Sequence, residues 1–480
     1  MIKQWKTTGV AMVALLLALP VYATPQSPDE AQSISWGRFG RMTIYRPARA
    51  PTAVVLFVSG DGGWHLGVVG MARALRDQGA LVIGIDIRTY LANFSKSTAR
   101  CESLAVDFEN LSHRLQKELK LPEYIKPMLY GYSSGATLVY AAIAQAPTGT
   151  FAGAVSLGFC ADQDFRHVAL CPGAGLHYEA NHRGDWVLQP STRLRDPWVA
   201  LQGQQDAVCN PAAVDEFAGK TGDAARVVRL DRVGHGFGVE KNWRPQFLRT
   251  FAGLEDTDHN KPLEVSALSG LPLTVVSAPA QSATASAGKA GFALLLSGDG
   301  GWAGLDREVA QQLADGGLPV VGLDSLRYFW KARKPEEVAA DVSRILRHYA
   351  NDWRREQINL IGYSFGADVL PAIVNLLPQD LREHLHSLTL IAPSASASYE
   401  VHVLDWLPGS TSGGDPVLPQ LRRLGDLPLL CMQGHGESEG LCPHINHAGA
   451  SVVEVGTGHH LGGDYASIAT HIQRFIAQAR

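Results

Sequence analysis

Two serines stand in the pattern Gly-Tyr-Ser-x-Gly, at Ser133 and Ser364. An apolar run leads into each pattern and a helical run leads out, so each serine is expected on a sharp strand-to-helix turn that exposes its hydroxyl. A serine hydroxyl becomes a nucleophile only when a base removes its proton, and a histidine oriented by a carboxylate can be that base. The pattern therefore predicts two nucleophilic serines, each of which needs an acid and a histidine.

The acid and the histidine are expected after the serine and in that order. Each candidate acid follows an apolar run, and each candidate histidine lies in a glycine-flanked loop near the end of its half of the chain. His460 and Glu439 are the nearest alternatives. The predicted acid and base pairs are Asp206 with His235 for the first serine, and Glu437 with His459 for the second.

Attack on an acyl carbon creates an oxyanion, which needs N–H donors already in place. One donor is expected from the amide that follows each nucleophile, on Ser134 or Phe365. The other is expected from the SGDGGW loops, where the amides of Asp61 and Asp299 are our candidates. The carboxylates of these two residues either attract a cationic substrate group or cap N–H groups of the turn.

A basic and aromatic segment, DSLRYFWK, follows a predicted strand of the second half. We predict that Arg327, Tyr328 and Trp330 bind a phospholipid headgroup and its glycerol backbone, with Asp299 nearby. The alternative is an aromatic loop that packs on its own domain. The segment 406–408 (WLP) is a candidate lid or membrane-facing tip.

Several histidines lie close together in the last part of the chain, but no metal-binding spacing such as HExxH occurs. We therefore expect no metal and no cofactor. The histidines concerned are His435, His444, His447, His459 and His460.

The two sets of candidate residues belong to two copies of one domain. SGDGGW occurs at Ser59–Trp64 and again at Ser297–Trp302, and four further landmarks follow in the same order in both halves. A chain of 480 residues can bury two full cores, and a repeat longer than about 200 residues indicates a duplicated domain rather than a solenoid. We place the domains at residues 33–255 and 262–480.

Within each copy, short apolar runs alternate with amphipathic helical patterns. Examples are the strand-like Ala53–Val58 and Phe292–Leu296 and the helix-like Leu104–Leu119. This alternation predicts an α/β fold, a mostly parallel sheet with helices on both faces, in which ligands bind at the carboxyl ends of the strands. The candidate residues all fall at such ends.

The N-terminus has the features of an export signal. Lys3 and Lys6 precede an apolar run, Val10–Leu19, which is short for a membrane span. We predict a signal peptide, residues 1–23, cleaved after Ala23, and a periplasmic protein; an uncleaved anchor is the alternative. The net charge of −4 excludes a protein that works by covering phosphates with positive charge, so no nucleic-acid partner is expected.

The six cysteines suit an oxidising compartment. No CxxC occurs, which argues against thiol redox chemistry and a zinc ribbon. Four cysteines in one half allow three pairings, and buried free thiols are the alternative. The pairs we predict from their equal spacing are Cys160–Cys171 and Cys431–Cys442, which leaves Cys101 and Cys209 for a third.

The chain resembles the VirJ/AcvB bacterial virulence protein family. The resemblance rests on the paired SGDGGW loops, the two GYSxGA turns, the segment DSLRYFW followed by Arg333 and Pro335, and Cys442 shortly after the acid. It covers essentially all of the chain after the signal peptide. The first copy departs from it by keeping a complete apparent triad, and Leu461 replaces an expected aromatic residue.

The resemblance implies tandem, exported α/β-hydrolase domains that cleave aminoacyl-phosphatidylglycerol, its lysyl or alanyl ester, with the C-terminal copy as the main catalytic unit. The expected partner is then an aminoacylated phospholipid at the membrane surface, and no stable protein partner is predicted. Two alternatives remain: an esterase or lipase that acts on another ester, and a non-catalytic envelope binding module that supports secretion.

Overall fold

The computed structural model describes residues 32–65, 67–165, 168–259, 268–279, 291–402, 413–437 and 440–479. The predicted signal peptide, the segment 406–408 and Glu439 lie outside these described residues.

The first lobe contains a large sheet flanked by helices and a small three-stranded sheet. Its strands are β1 (Gln32–Trp36), β2 (Gly40–Tyr45), β3 (Ala53–Val58), β4 (Ala80–Ile85), β5 (Pro127–Tyr132), β6 (Gly153–Leu157), β7 (Asp162–Gln163), β8 (Tyr178–Ala180), β9 (Trp186–Leu188), β10 (Trp198–Gly203) and β11 (Ala225–Leu230). Its helices are α1 (Gly67–Asp77), α2 (Ile87–Phe94), α3 (Leu104–Glu118), α4 (Ser134–Gln145), α5 (Pro211–Thr221) and α6 (Glu240–His259).

The second lobe repeats this arrangement. Its strands are β12 (Leu273–Val276), β13 (Gly291–Leu296), β14 (Val320–Leu323), β15 (Gln357–Tyr363), β16 (Leu385–Ile391), β17 (Ser396–Ala397), β18 (Asp415–Pro416), β19 (Leu429–His435) and β20 (Ala450–Thr457). Its helices are α7 (Gly304–Asp315), α8 (Ser325–Tyr328), α9 (Pro335–Trp353), α10 (Phe365–Leu376), α11 (Gln379–Arg382), α12 (Val417–Leu421) and α13 (Tyr465–Gln478).

The strand order is equivalent in the two main sheets from β4 and from β14 onward. The first sheet runs β1-β2-β4-β3-β5-β6-β10-β11 and the second runs β12-β14-β13-β15-β16-β19-β20. All neighbours from β4 and from β14 onward are parallel, whereas β1, β2 and β12 add antiparallel edges. The fold is therefore two tandem domains of the α/β-hydrolase type, as the sequence predicted.

The central strands have no polar face because helices cover both sides of each sheet. All residues of β3 and β4 are buried, and a separate apolar cluster lies on each face of each main sheet. This burial explains why their sequences are continuous apolar runs rather than alternating ones. The carboxyl ends of the strands consequently form one edge, where the loops with the candidate residues lie.

The two lobes contact each other through α3 and the segment after α8. Lys117 Nζ donates to the Trp330 carbonyl at 2.5 Å, and the Trp330 indole N–H donates to the Leu121 carbonyl at 3.0 Å. A second contact joins the Gly304 N–H to the Thr148 carbonyl at 3.1 Å. Helix α6 ends at His259, between the predicted end of the first domain at residue 255 and the predicted start of the second at residue 262.

Candidate active site

The two serine turns have the strained geometry that the sequence pattern predicts. Ser133 has φ 53° and ψ −120°, and Ser364 has φ 49° and ψ −117°, each between a strand and a helix. A side chain could not replace the flanking glycines: a methyl group on Gly366 would lie 2.2 Å from the Leu296 carbonyl oxygen. The Ser364 N–H also donates to the Ile391 carbonyl at 2.8 Å. These constraints hold each hydroxyl at the carboxyl edge of its sheet.

In the second lobe the structure brings Ser364, His459 and Glu437 together. Ser364 Oγ lies 2.7 Å from His459 Nε2, and His459 Nδ1 lies 2.6 Å from Glu437 Oε1. This arrangement can remove the serine proton and hold the imidazole in one orientation.

The first lobe forms a matching set from Ser133, His235 and Asp206. His235 Nε2 lies 2.9 Å from Ser133 Oγ, and its Nδ1 lies 2.9 Å from Asp206 Oδ2. Asp206, Cys209 and His235 also lie close enough to share an ion, but Cys209 is in a disulfide and offers no thiolate. The first lobe therefore has a complete hydrogen-bonded triad of its own.

The two acids are supported differently. Asp206 is buried and accepts from the Val208 and Cys209 amides at 2.9 and 2.8 Å and from the Gln202 side chain at 3.0 Å. Glu437 is half-buried and accepts only one further described bond, from the Gly434 amide at 3.3 Å. Burial is the largest single influence and acts to raise the pKa of Glu437, but the hydrogen bond and charge of His459, the Gly434 amide and the charge of His460 together outweigh it, so the pKa of this carboxyl is lowered.

The disulfides correct the predicted pair Cys160–Cys171 and the third pair that it left, Cys101–Cys209. Cys431 pairs with Cys442 as predicted, but Cys160 pairs with Cys209 rather than with Cys171, which pairs with Cys101. Equal spacing in sequence misled the prediction, because β6 and β10 are adjacent and parallel and bring Cys160 and Cys209 to the same edge. Two of the three disulfides consequently join the segments beside the acids, Cys160–Cys209 next to Asp206 and Cys431–Cys442 next to Glu437.

Each SGDGGW loop follows the strand next to the one that carries the serine, and the loop lies close to that serine. A methyl group on Gly60 would lie 3.0 Å from Ser133 Cβ, and one on Gly298 would lie 3.6 Å from Ser364 Cβ. The amides of Ser134 and Phe365 begin helices α4 and α10, where N–H groups have no partner within the helix. The loop and the helix start thus face the same place above each serine.

Asp61 and Asp299 occupy equivalent loop positions but differ in exposure. Asp61 is exposed, whereas Asp299 is half-buried. The Gly63 N–H donates to the Gly60 carbonyl at 2.8 Å, and the Gly301 N–H donates to the Gly298 carbonyl at 3.1 Å, so a tight turn encloses each aspartate.

The DSLRYFW segment is largely packed rather than open. Trp330 is 3% exposed and lies against the first lobe, with Lys117 Nζ 4.6 Å from the centre of its ring. Tyr328 is 1% exposed and its hydroxyl donates to Asp341 at 2.6 Å. Of the predicted substrate contacts in this segment, only the half-buried Arg327 has substantial exposure. The described contacts of Tyr328 and Trp330 therefore correspond to the packing alternative.

His460 and three further residues complete the surroundings of the site. His460 Nδ1 lies 2.8 Å from the Tyr363 hydroxyl, so His460 interacts with the residue before the nucleophile rather than with Ser364 itself. The Tyr132 hydroxyl donates to the His235 carbonyl at 3.0 Å. The tyrosine in Gly-Tyr-Ser-x-Gly is the sequence signal that could have indicated this support. Glu109 of helix α3 reaches the second lobe, where its Oε1 would lie 3.8 Å from a methyl group on Gly300, and nothing near Glu109 in the sequence indicated this contact.

The profile of one protein family matches both halves of the chain. The family is described as bacterial virulence protein (VirJ), and the match covers residues 52–161 and 290–479, more than half of the chain. The chain belongs to this family. No curated protein was found to match it.

Solved structures similar to this VirJ family member each align with about one lobe. The esterase domain of a Rhodothermus marinus protein is 15% identical and covers 47% of this chain and 98% of its own, with a TM-score of 0.33. A putative dienelactone hydrolase from Klebsiella pneumoniae is 17% identical, with coverages of 47% and 98% and a TM-score of 0.35. An α/β serine hydrolase homologue from Coxiella burnetii is 16% identical, with coverages of 50% and 100% and a TM-score of 0.32.

The three disulfides and membership of the VirJ family are consistent with an exported protein. Within the described ranges, the helices of this chain are too short or too polar to span a bilayer.

Proposed function

We propose that this protein is a periplasmic serine hydrolase that cleaves the aminoacyl ester of phosphatidylglycerol at the membrane surface. The observation that carries the proposal is the hydrogen-bonded chain Ser364–His459–Glu437 at the carboxyl edge of the second sheet. Membership of a virulence protein family and the oxidised cysteines support the site of action. The resemblance in sequence supports the lipid substrate.

The reaction would begin with attack of Ser364 Oγ on the ester carbonyl carbon while His459 Nε2 takes the hydroxyl proton. Glu437 holds the imidazolium that forms through its contact with Nδ1. The oxyanion would accept hydrogen bonds from the Phe365 amide and from the SGDGGW loop at Asp299. His459 then donates the proton to the departing glycerol oxygen, which releases phosphatidylglycerol and leaves the amino acid esterified to Ser364.

Water would complete the cycle. His459 removes a proton from a water molecule that attacks the aminoacyl-serine, and the same proton returns to Ser364 Oγ as the ester bond breaks. The products are the free amino acid and the regenerated hydroxyl.

The first test uses purified mature protein and vesicles that contain lysyl-phosphatidylglycerol. We expect Ser364→Ala to lower turnover by about 10³-fold or more, because the nucleophile is lost, and Ser133→Ala to lower it less. Wild-type turnover by Ser364→Ala would contradict the assignment. A clear preference for neutral acyl esters would instead favour an esterase or lipase on another substrate.

A fluorophosphonate probe tests whether the protein has a reactive serine, whichever ester is its substrate. We expect it to label Ser364, and labelling of the second lobe should disappear in Ser364→Ala but remain in Ser133→Ala. Absence of labelling at both serines of the folded protein would favour the non-catalytic envelope binding module.

A further inference from the structure

Helix α3 of the first lobe reaches the catalytic edge of the second lobe. Its Lys117 binds the Trp330 carbonyl at 2.5 Å and Glu400 at 3.1 Å, both in the second lobe. Glu109 lies about two turns earlier on the helix, on roughly the same side. The contacts of Lys117 with the second lobe therefore also place Glu109 on the side of the helix that faces that lobe.

Glu109 meets the loop that covers the second nucleophile. A methyl group placed on Gly300 would lie 3.8 Å from Glu109 Oε1. Gly300 is two residues from Gly298, which approaches Ser364, and Asp299 lies between these two glycines. A carboxylate of one lobe thus borders the reaction site of the other.

No hydrogen bond or ion pair of the Glu109 carboxylate occurs among the described residues, and the charged group that faces it is Asp299. Burial and then the Asp299 carboxylate raise the pKa of Glu109 to about 7. Two neighbouring carboxyl groups resist ionising together. A bound positive group would relieve this repulsion.

The first lobe has the opposite charge at its own loop. A methyl group on Gly63 would lie 2.1 Å from Arg88 Nη2, so a guanidinium borders the first SGDGGW loop. Arg88 also pairs with Asp86 at 2.9 Å. Aligning the two halves places Leu326, which is neutral, at the position of Arg88 in the second lobe. The two triads therefore lie in surroundings of different charge.

Two further acids of the second lobe have no acidic counterpart in the first. Asp306 and Asp368 align with Val68 and Thr137. Asp306 is 2% exposed, and its Oδ1 has no hydrogen-bond partner in the described part of the chain. Burial, and after it nearby carboxylates that include Asp299, raise the pKa of both acids well above the usual range. The second site thus has an excess of carboxyl groups beyond its triad acid.

We propose that Glu109 of the first lobe and Asp299 of the second together bind the ammonium group of a cationic acyl ester at Ser364. The first lobe thereby completes the substrate site of the second and makes that site selective for positive charge. This inference deepens the proposed function and rests on it for the identity of the ester.

The test compares three esters of phosphatidylglycerol in vesicles, with lysyl, norleucyl and hexanoyl groups. The three acyl groups have carbon chains of the same length and have two, one and no ammonium groups, respectively. The lysyl-to-norleucyl ratio of kcat/KM reports the side-chain ammonium, and the norleucyl-to-hexanoyl ratio reports the α-ammonium. We expect Glu109→Gln to lower at least one ratio about tenfold, and the ratio that falls identifies the ammonium bound.

One control variant changes another glutamate of helix α3, and a second control changes Glu109 itself to a shorter acid. Glu118→Gln alters an exposed glutamate at the end of α3 and should leave both ratios within about twofold of wild type. Glu109→Asp keeps the charge on a shorter side chain and should retain part of the selectivity. Ratios unchanged in a folded Glu109→Gln variant would overturn the inference.

A second readout separates this inference from the proposed function. Lysine amide, norleucine amide and hexanamide are tested for protection of Ser364 from a fluorophosphonate. We expect cationic amides to protect the wild type better than hexanamide, and Glu109→Gln to lose this difference. If no ester is hydrolysed but this pattern holds, the proposed substrate fails and the ammonium site stands. Equal protection by all three amides would overturn the ammonium site.

Discussion

At the scale of single residues, the two triads share a geometry but differ in how the acid is held. Asp206 is buried with three described hydrogen bonds besides the one to His235, whereas Glu437 depends mainly on His459 and the Gly434 amide. A more exposed acid on a longer side chain has more freedom, so the His459 contact at 2.6 Å is the main restraint on Glu437. The orientation of His459 consequently depends on the charge of Glu437.

The first prediction concerns this charge. Replacing Glu437 with Gln should lower kcat on aminoacyl-phosphatidylglycerol by about 10³–10⁴-fold, because the neutral amide stabilises neither the required tautomer nor the imidazolium. Steady-state turnover on vesicles measures the effect.

A matched control lies on the neighbouring strand. His435 Nδ1 contacts Glu454 Oε2 at 2.8 Å, which is a similar but exposed histidine–carboxylate pair. Glu454→Gln should leave kcat unchanged. A similar loss of kcat in both variants would show that Glu437 has no special role.

At the scale of secondary-structure elements, the turn between β15 and α10 illustrates how backbone contacts position a side chain. Gly366 lies against the carbonyl groups of Leu296 and Ser297 on the neighbouring strand. This close approach is possible only without a Cβ, and it lets α10 begin directly above the sheet. The position of Ser364 therefore depends on a contact between elements rather than on the serine itself.

The second prediction follows from that contact. Gly366→Ala would place a methyl group 2.2 Å from the Leu296 carbonyl oxygen and should destabilise the protein by about 3 kcal/mol or more while removing activity. Urea unfolding measures the change. Gly253→Ala, in helix α6 with no atom within 4 Å of the added methyl, should instead raise stability by up to about 1 kcal/mol. Equal effects of the two substitutions would contradict this explanation.

Helix α3 carries a titratable residue into the interior. His113 is 2% exposed and its ring lies 4.9 Å from the ring of Tyr124, and burial lowers its pKa to about 3. The unfolded chain binds a proton to this histidine below the ordinary pKa of 6.5, whereas the folded chain does not until about 3. The protein therefore has no stability penalty from this histidine above pH 6.5, and the free energy of unfolding decreases as the pH falls from 6.5 toward 3.

The third prediction is a difference in acid sensitivity. Between pH 6.5 and 3, the protonation of His113 in the unfolded chain should cost about 1.4 kcal/mol of stability per pH unit. His113→Leu should remove this part of the loss. Free energies of unfolding measured in urea at pH 7.5 and pH 5 should thus differ by about 2 kcal/mol less in the variant than in the wild type. The same pH dependence in both proteins would show that the buried histidine does not contribute.

At the scale of the whole molecule, the lobes are joined by an apolar contact with polar bonds at its edge. The Trp330 ring lies 5.3 Å from the ring of Tyr124, which belongs to the first lobe but is buried in the main core cluster of the second. Its indole N–H and the Lys117 ammonium satisfy carbonyl groups across the contact. The position of α3 against the second lobe therefore depends in part on Trp330 and its neighbours.

The fourth prediction tests the contact. Trp330→Ala should lower the free energy of unfolding by about 3–5 kcal/mol, because a large buried ring is lost. Trp330→Phe keeps an aromatic ring but loses the bond to Leu121 and should cost about 1–2 kcal/mol. Thermal and urea unfolding give both values. A Trp330→Ala variant as stable as wild type would mean that the ring does not join the lobes.

Features that depend on local pattern and order were predictable from the sequence. Continuous apolar runs predicted β3 with the correct residues and β13 to within one residue, and a helical pattern predicted α3 to within one residue. The order of serine, acid and histidine predicted both hydrogen-bonded sets, because one fold places successive strand ends at one edge and the repeat supplied the same order twice. The two-domain organisation followed from the repeated landmarks alone.

Features that depend on which distant segments become neighbours required the tertiary structure. Cysteine spacing suggested Cys160–Cys171, but the adjacency of β6 and β10 decided for Cys160–Cys209. Trp330 looked like a substrate contact, and only the docking of the lobes showed that its ring is buried. The same docking brings Glu109 to the loop around Asp299. The local sequence determines the helix that carries Glu109. Which residues of the second lobe Glu109 contacts depends instead on packing interactions summed over both domains.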